Sequence, residues 1–143
     1  MDKQALMTFL EHKPDKCKVM VVGDIMLDKY YYGEVTRISG EAPVPITRVQ
    51  QTSEKLGGGA NIAYNLAVLG CQTSISGFVG NDHHCESMVE KFHSCGIDDS
   101  SLVYTNRPTT ATVRVVSNNQ QMFRLDFEEV RPVEGGDADR FQN

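Results

Sequence analysis

Apolar residues in this chain fall into short runs and helical repeats, separated by glycine-bearing breaks. The run Cys17–Gly23 (CKVMVVG) is β-branched and almost unbroken, the pattern of a strand buried on both faces in a parallel sheet. It leaves through Gly23-Asp24, a polar exit at the carboxyl end, where α/β sheets place their ligands. Tyr30–Thr36 and Val44–Gln50 predict two more strands, divided by the Gly- and Pro-bearing turn Arg37–Pro43. Gly57-Gly58-Gly59 opens a predicted helix in which Ile62, Leu66 and Leu69 recur at i, i+4 and i+7, with Ala63 and Ala67 beside them. Gly70 ends it. Thr73–Val79 predicts another short strand, leaving through Gly80-Asn81-Asp82. Asp82 suits the N-cap of a helix whose inner stripe is Cys85, Met88, Val89 and Phe92 and whose end is Gly96.

The order strand, glycine break, helix, strand, helix predicts an α/β fold with parallel strands and right-handed crossovers. From Thr109 the texture changes. Thr110–Ser117 and Gln120–Phe127 alternate, and Asn118-Asn119 supplies the positive φ of a tight hairpin. With the pair in Tyr30–Gln50, they predict a small separate sheet. Met1–Lys18 mixes charges with Leu6, Met7, Phe9 and Leu10, a short amphipathic helix and not a signal peptide. Glu128–Arg140 is acidic, carries Pro132, Gly135 and Gly136, and reads as a linker or loop. No closing element follows, so an incomplete, N-terminal portion of a longer protein is expected.

Composition narrows the function. The 143 residues are 40% hydrophobic and 23% charged, ordinary for one globular domain. A net charge of -5 excludes nonspecific nucleic-acid binding, which needs surplus Lys and Arg, but a few local cations would still serve a small anionic substrate. No run approaches the ~20 apolar residues of a membrane span. Cys17 and Cys71 start apolar runs and read as buried thiols of a reducing cytoplasm. His83, His84, Cys85, His93 and Cys95 invite a metal reading, but they do not share the spacing of one helix face, and incidental residues of a solvated helix explain them better.

Two groups of residues carry candidate chemistry. Gly57-Gly58-Gly59-Ala60-Asn61-Ile62-Ala63 would let backbone approach a ligand at a helix start, with Asn61 offering a donor and an acceptor to hydroxyls. It is no Walker A loop, lacking Gly-Lys-Ser/Thr. Nor is it a dinucleotide fingerprint, because the glycine spacing is wrong and no predicted strand leads directly into it. A tight turn without a ligand is the plainer reading. Asp24 and Asp28 follow the first strand, and a carboxylate can accept bonds from two neighbouring sugar hydroxyls. Their plainer role is turn capping and solvation.

From Gly57 through Ala63, then six residues to Gly70 and nine more to Gly80, the chain resembles the N-terminal signature of the ribokinase (PfkB) family of carbohydrate kinases. Val22–Asp28, Arg37–Pro45 and Asn119–Glu128 further resemble the heptose 7-phosphate kinase branch, and the likeness runs from about Lys18 to Glu129. The resemblance implies a doubly wound α/β body (18–129) with a β-sheet lid at about 30–50 and 109–127. It implies a sugar held by Asp28, Gly58, Gly59 and Asn61, with Asp24 a weaker candidate, and a homodimer formed through the lid strands. It also implies ATP and Mg²⁺ as reaction partners, bound mainly by a C-terminal half whose Gly-Ala-Gly-Asp motif supplies the general base. That motif does not occur in these 143 residues, so no catalytic residue is assigned in this chain. A sugar that is already phosphorylated needs cations, for which Arg37 and Arg124 are the first candidates and Arg114, Arg48 and Lys55 the weaker ones. A fructokinase, ribokinase or nucleoside kinase, or a non-catalytic sugar-binding or dimerisation module, are the alternatives.

Overall fold

The computed structural model describes residues 17–132 together with Lys3, Gln4, Met7, Thr8, Gly136 and Asp139. Most of the predicted N-terminal helix (Met1–Lys18) and part of the predicted linker (Glu128–Arg140) lie outside them. The elements are β1 (Lys18–Val22), β2 (Ile25–Ile38), β3 (Pro45–Gly57), α1 (Gly58–Val68), β4 (Gln72–Val79), α2 (His83–Ser94), β5 (Asp98–Tyr104), β6 (Thr110–Ser117) and β7 (Gln120–Phe127). They build two sheets. One is parallel, in the order β1-β4-β5. The other runs β3-β2-β6-β7, with β2 and β6 parallel and the outer pairs antiparallel. Among the described residues no helix is long and apolar enough to cross a membrane.

The predicted α/β order holds, with several local corrections. Strand β1 is an edge strand, not one buried on both faces. Val21 points into the core, whereas Met20 and Val22 are each 57% exposed. On α1 the buried residues are Ala60 and Ala63, with Leu66 and Ala67 partly buried, while Ile62 and Leu69 face outward. Alanine permits the closest approach of a helix to its neighbours, so the small residues won the inner face. Strand β5 (DDSSLVY) was not predicted, because its first half is polar and only Leu102 and Val103 are buried. Strands β2 and β3 are longer than their apolar segments suggested.

The core joins both sheets. Val21, Ile75 and Val79 of the parallel sheet meet Leu27, Leu56 and Ala111 of the mixed one, closed by Met88 and Phe92 of α2. The β6–β7 hairpin turns on Asn118 (φ 49°) and Asn119 (φ 63°), the positive-φ pair such a turn requires.

Asp82 ties the start of α2 to the start of β6. Its carboxylate accepts from the Cys85 N–H at 3.0 Å and the Thr109 N–H at 2.8 Å, while the fully buried Thr109 hydroxyl accepts from the Gly80 N–H. Burial pushes the Asp82 carboxyl up, but donation from the Thr109 and Cys85 amides outweighs it and leaves the group below its ordinary 3.8. A depressed folded-state pKa contributes stability above the unfolded value, lost as pH falls through the folded one. Asp82→Ala is therefore expected to lower the unfolding free energy by about 1–3 kcal/mol near pH 7. The deficit should shrink at a pH below the ordinary 3.8. Urea denaturation at both pH values checks this, and a pH-independent deficit would remove the charge from the explanation.

Candidate functional site

The face of the mixed sheet turned away from the core is chemically ordered. Strand alternation puts Met26, Asp28, Tyr30 and Tyr32 of β2 on one side and Ile25 and Leu27, both in the core, on the other. Register then lines up two rows across all four strands. The first is Lys55, Asp28, Thr112, Asp126, and the second is Ser53, Tyr30, Arg114, Arg124. Both carboxylates thus fall in one row and both guanidiniums in the next.

Asp28 is the hub. Its side chain is only 21% exposed. Oδ1 accepts from the Thr112 hydroxyl and from an Arg114 guanidinium nitrogen at 2.5 Å. Burial pushes its carboxyl up, yet the Thr112 and Arg114 hydrogen bonds, with the charges of Arg114 and Arg124, bring it below the ordinary value. The hydrogen bond to Asp28 in turn raises Arg114. Arg114 also reaches the Tyr30 hydroxyl at 3.3 Å and lies 5.3 Å from the centre of its ring. The Lys55 ammonium is 5.5 Å from the same ring, and Tyr30 and Tyr32 stack at 5.9 Å. A carboxylate held in this way stays ionised near neutral pH. It is suited to accepting hydrogen bonds from hydroxyls and poorly suited to taking up a proton.

The glycine segment lies against this hub. A Cβ on Gly57 would come within 2.7 Å of Asp28 Oδ2, and one on Gly58 within 2.5 Å of the Asp24 carbonyl oxygen. Gly58 also has φ +53°. The Gly59 N–H donates to the Asp24 carbonyl at 2.7 Å, so this helix-start donor is already engaged. Strand β3 runs straight into α1, contrary to the sequence expectation, and the dinucleotide reading is then excluded by glycine spacing alone.

The candidates therefore separate. Asp28, Gly58 and Gly59 come together, with the Asp24 backbone as their clasp and the exposed Asp24 side chain beside a cleft of about 400 Å³ that Gly23, Arg107 and Thr110 also line. Asn61 lines a neighbouring cleft of about 460 Å³ with Lys55, Tyr64 and Lys91. Arg124 stands in the guanidinium row, bonded to Asp126 at 2.5 Å. Arg37 lies nine residues further along β2 than Asp28, roughly 30 Å at strand spacing. Arg48 pairs with Glu34 at the surface. Arg114, Lys55, Thr112 and Tyr30 gather where the sequence reading put Arg37 first. Residues 28, 30 and 32 share one strand parity, as do 112 and 114, and that parity was the available signal. Of the metal-reading residues, Cys85 is buried in the core, while His83 pairs with Glu86 and His93 with Asp99.

Comparison with known proteins shows the family and the fold. The sequence pattern described as pfkB family carbohydrate kinase matches residues 16–131. The bifunctional protein HldE of Shewanella amazonensis is 44% identical over 124 residues, which are 87% of this chain and 26% of that protein. Its counterpart in Shewanella piezotolerans is 45% identical over 115 residues, covering 80% and 24%. The chain thus spans about a quarter of the length of these relatives. Among solved structures, Arabidopsis thaliana ribokinase complexed with ribose and ATP superposes with a TM-score of 0.60 at 24% identity, over 77% of this chain and 35% of that one. A carbohydrate kinase from Agrobacterium tumefaciens gives 0.61 at 23%, again over 77% and 35%. The fold is ribokinase-like and partial.

Gly58→Ala is expected to destabilise the chain by roughly 1–3 kcal/mol, since a Cβ at positive φ is strained and a backbone oxygen stands in its way. Gly40→Ala, with open space around it, is the control. Equal denaturation midpoints for the two variants would contradict the close approach.

Proposed function

This chain belongs to the pfkB family of carbohydrate kinases, and we propose that it forms the sugar-binding part of a kinase acting on a heptose 7-phosphate. In the whole enzyme the γ-phosphoryl group of ATP passes in line to the anomeric hydroxyl of D-glycero-D-manno-heptose 7-phosphate, feeding ADP-heptose and lipopolysaccharide core synthesis in the cytoplasm. The observation that carries this reading is the adjacency of a carboxylate row and a guanidinium row on one sheet face. Such a face offers acceptors for hydroxyls beside donors for a phosphate.

In this proposal Asp28 accepts from sugar hydroxyls, Asn61 offers a donor and an acceptor, and Gly58 and Gly59 let the sugar approach the backbone. Asp24 holds that segment in place. Arg124, with Arg114 opposite and Lys55 beside Tyr30, receives the phosphate the sugar already carries. ATP bound with Mg²⁺ supplies the transferred group, and positioning and charge neutralisation do most of the work. No residue here is assigned to hold either, since neither the Walker A nor the Gly-Ala-Gly-Asp sequence occurs in the chain. Asp28, already bonded and depressed, is a positioning group and not the general base. The mixed sheet serves as a lid and as a homodimer contact, supported by Phe123, Leu125 and Phe127 standing half-exposed on its outer strand.

In the full-length kinase, Asp28→Ala and Asn61→Ala are each expected to lower kcat/KM for the heptose 7-phosphate about tenfold to a hundredfold, with KM for ATP nearly unchanged. Arg124→Gln should raise KM for the phosphorylated sugar by a similar factor, and Arg37→Gln should not. Wild-type sugar kinetics in both the Asp28 and Asn61 variants would move the sugar elsewhere. A substrate panel with fructose, ribose and nucleosides separates this reading from its nearest rivals.

A further inference from the structure

Arg114 and Arg124 are directly opposed across β6 and β7. Like charges in that relation destabilise a sheet unless something offsets them. Here each guanidinium is met by its own carboxylate at 2.5 Å, Asp28 for Arg114 and Asp126 for Arg124. Both arginines therefore reach the face already paired.

The pairing also loads Asp28. Its Oδ1 takes both Thr112 and Arg114, and its Oδ2 is packed toward Gly57, where an added Cβ would lie at 2.7 Å. A hydroxyl arriving at Asp28 meets a carboxylate with one oxygen engaged by a cation and the other packed toward Gly57. A phosphate arriving at Arg114 meets a cation held by a carboxylate. One exchange relieves both conditions. Asp28 and Arg114 lie in adjacent rows two strand positions apart, about 7 Å along the sheet, the scale of one sugar ring with its exocyclic arm.

Building on the proposed function, we infer that the Asp28–Arg114 ion pair is a latch opened by substrate: the sugar's phosphate draws Arg114 onto itself, and the released carboxylate takes the sugar's hydroxyls. Recognition of the two ends is then coupled. A sugar without a phosphate is penalised twice, by the missing anion contact and by an Asp28 that stays engaged. Thr112 remains as the donor that keeps Asp28 in place when Arg114 leaves. By linkage the coupling is reciprocal, so phosphate strengthens sugar binding by the factor with which sugar strengthens phosphate binding. Both partners retain some solvent contact, which places the factor near the lower end of such couplings, about five- to tenfold.

The test uses the two halves of the ligand separately. Calorimetric titration of the chain with unphosphorylated heptose, in saturating inorganic phosphate and in chloride of equal ionic strength, should give a Kd about five- to tenfold lower in phosphate. Titration of phosphate with and without the heptose should give the same factor. In Arg114→Gln the heptose should still bind and the factor should fall to one, with Arg114→Lys retaining part of it. A wild-type factor of one, or weaker sugar binding in phosphate, overturns the latch while leaving the sugar site intact. Binding of neither heptose nor heptose 7-phosphate overturns the proposed function and the latch together. The wild-type reciprocity needs no variant, so a misfolded Arg114→Gln protein would not obscure the result.

Discussion

Strand β2 can occupy one register only, and the rest of the structure follows from it. Its Ile25 and Leu27 are buried against Ile75, Phe92 and Ala111 in the shared core, while Asp28, Tyr30 and Tyr32 occupy the opposite face. A slip by one residue would exchange the two sets, driving a carboxylate into the core and two aliphatic side chains into water. The apolar half of the strand thus fixes where its polar half points. Because β2 lies inside the mixed sheet, it transmits that choice to β3 and β6, and through β6 to β7.

The same constraint explains why the chemistry sits at the junction of the sheets. Asp28 comes one position after a fully buried leucine, at the point where β2 leaves the core. The segment Gly57–Gly59 is brought there because β3 pairs with β2 down to Met26 and Gly57 and then enters α1. Side chains at Gly57 and Gly58 would collide with Asp28, Met26 or the Asp24 carbonyl, so their absence lets strand, loop and helix meet. On the core-facing side, Lys29 bonds Glu54 at 2.8 Å and Glu54 approaches Lys91 of α2. This anchors the mixed sheet to the body without using the polar face.

Much of this was legible in the sequence, and the failures have physical causes. The glycine signature, the caps at Asp82 and Gly96 and the Asn118-Asn119 turn are local signals, and local signals survive folding. Strand β5 was missed because only two of its residues are buried, so its first half lacks an apolar pattern. The periodicity of α1 points to Ile62, Leu66 and Leu69 with Ala63 and Ala67 beside them, because it weighs hydrophobicity without size, whereas the tight approach selects Ala60 and Ala63 and leaves Ile62 and Leu69 outside. The ranking of Arg37 above Arg114 takes no account of strand pairing. Proximity to the predicted lid strands puts Arg37 first, but register places Arg114 beside Asp28, 86 residues away in sequence. Cross-strand neighbours set by a parallel pairing leave no nearby signature.

The central claim is that the Asp28 face is where the sugar sits. Amide chemical-shift mapping of the chain titrated with heptose 7-phosphate tests it most directly, because it reports position without requiring turnover. The account predicts the largest changes at Met26–Tyr30, Gly57–Gly59 and Thr112–Arg114, converging on one face. Changes confined to the β1 edge, to β5 or to the outer surface of α2 would contradict it.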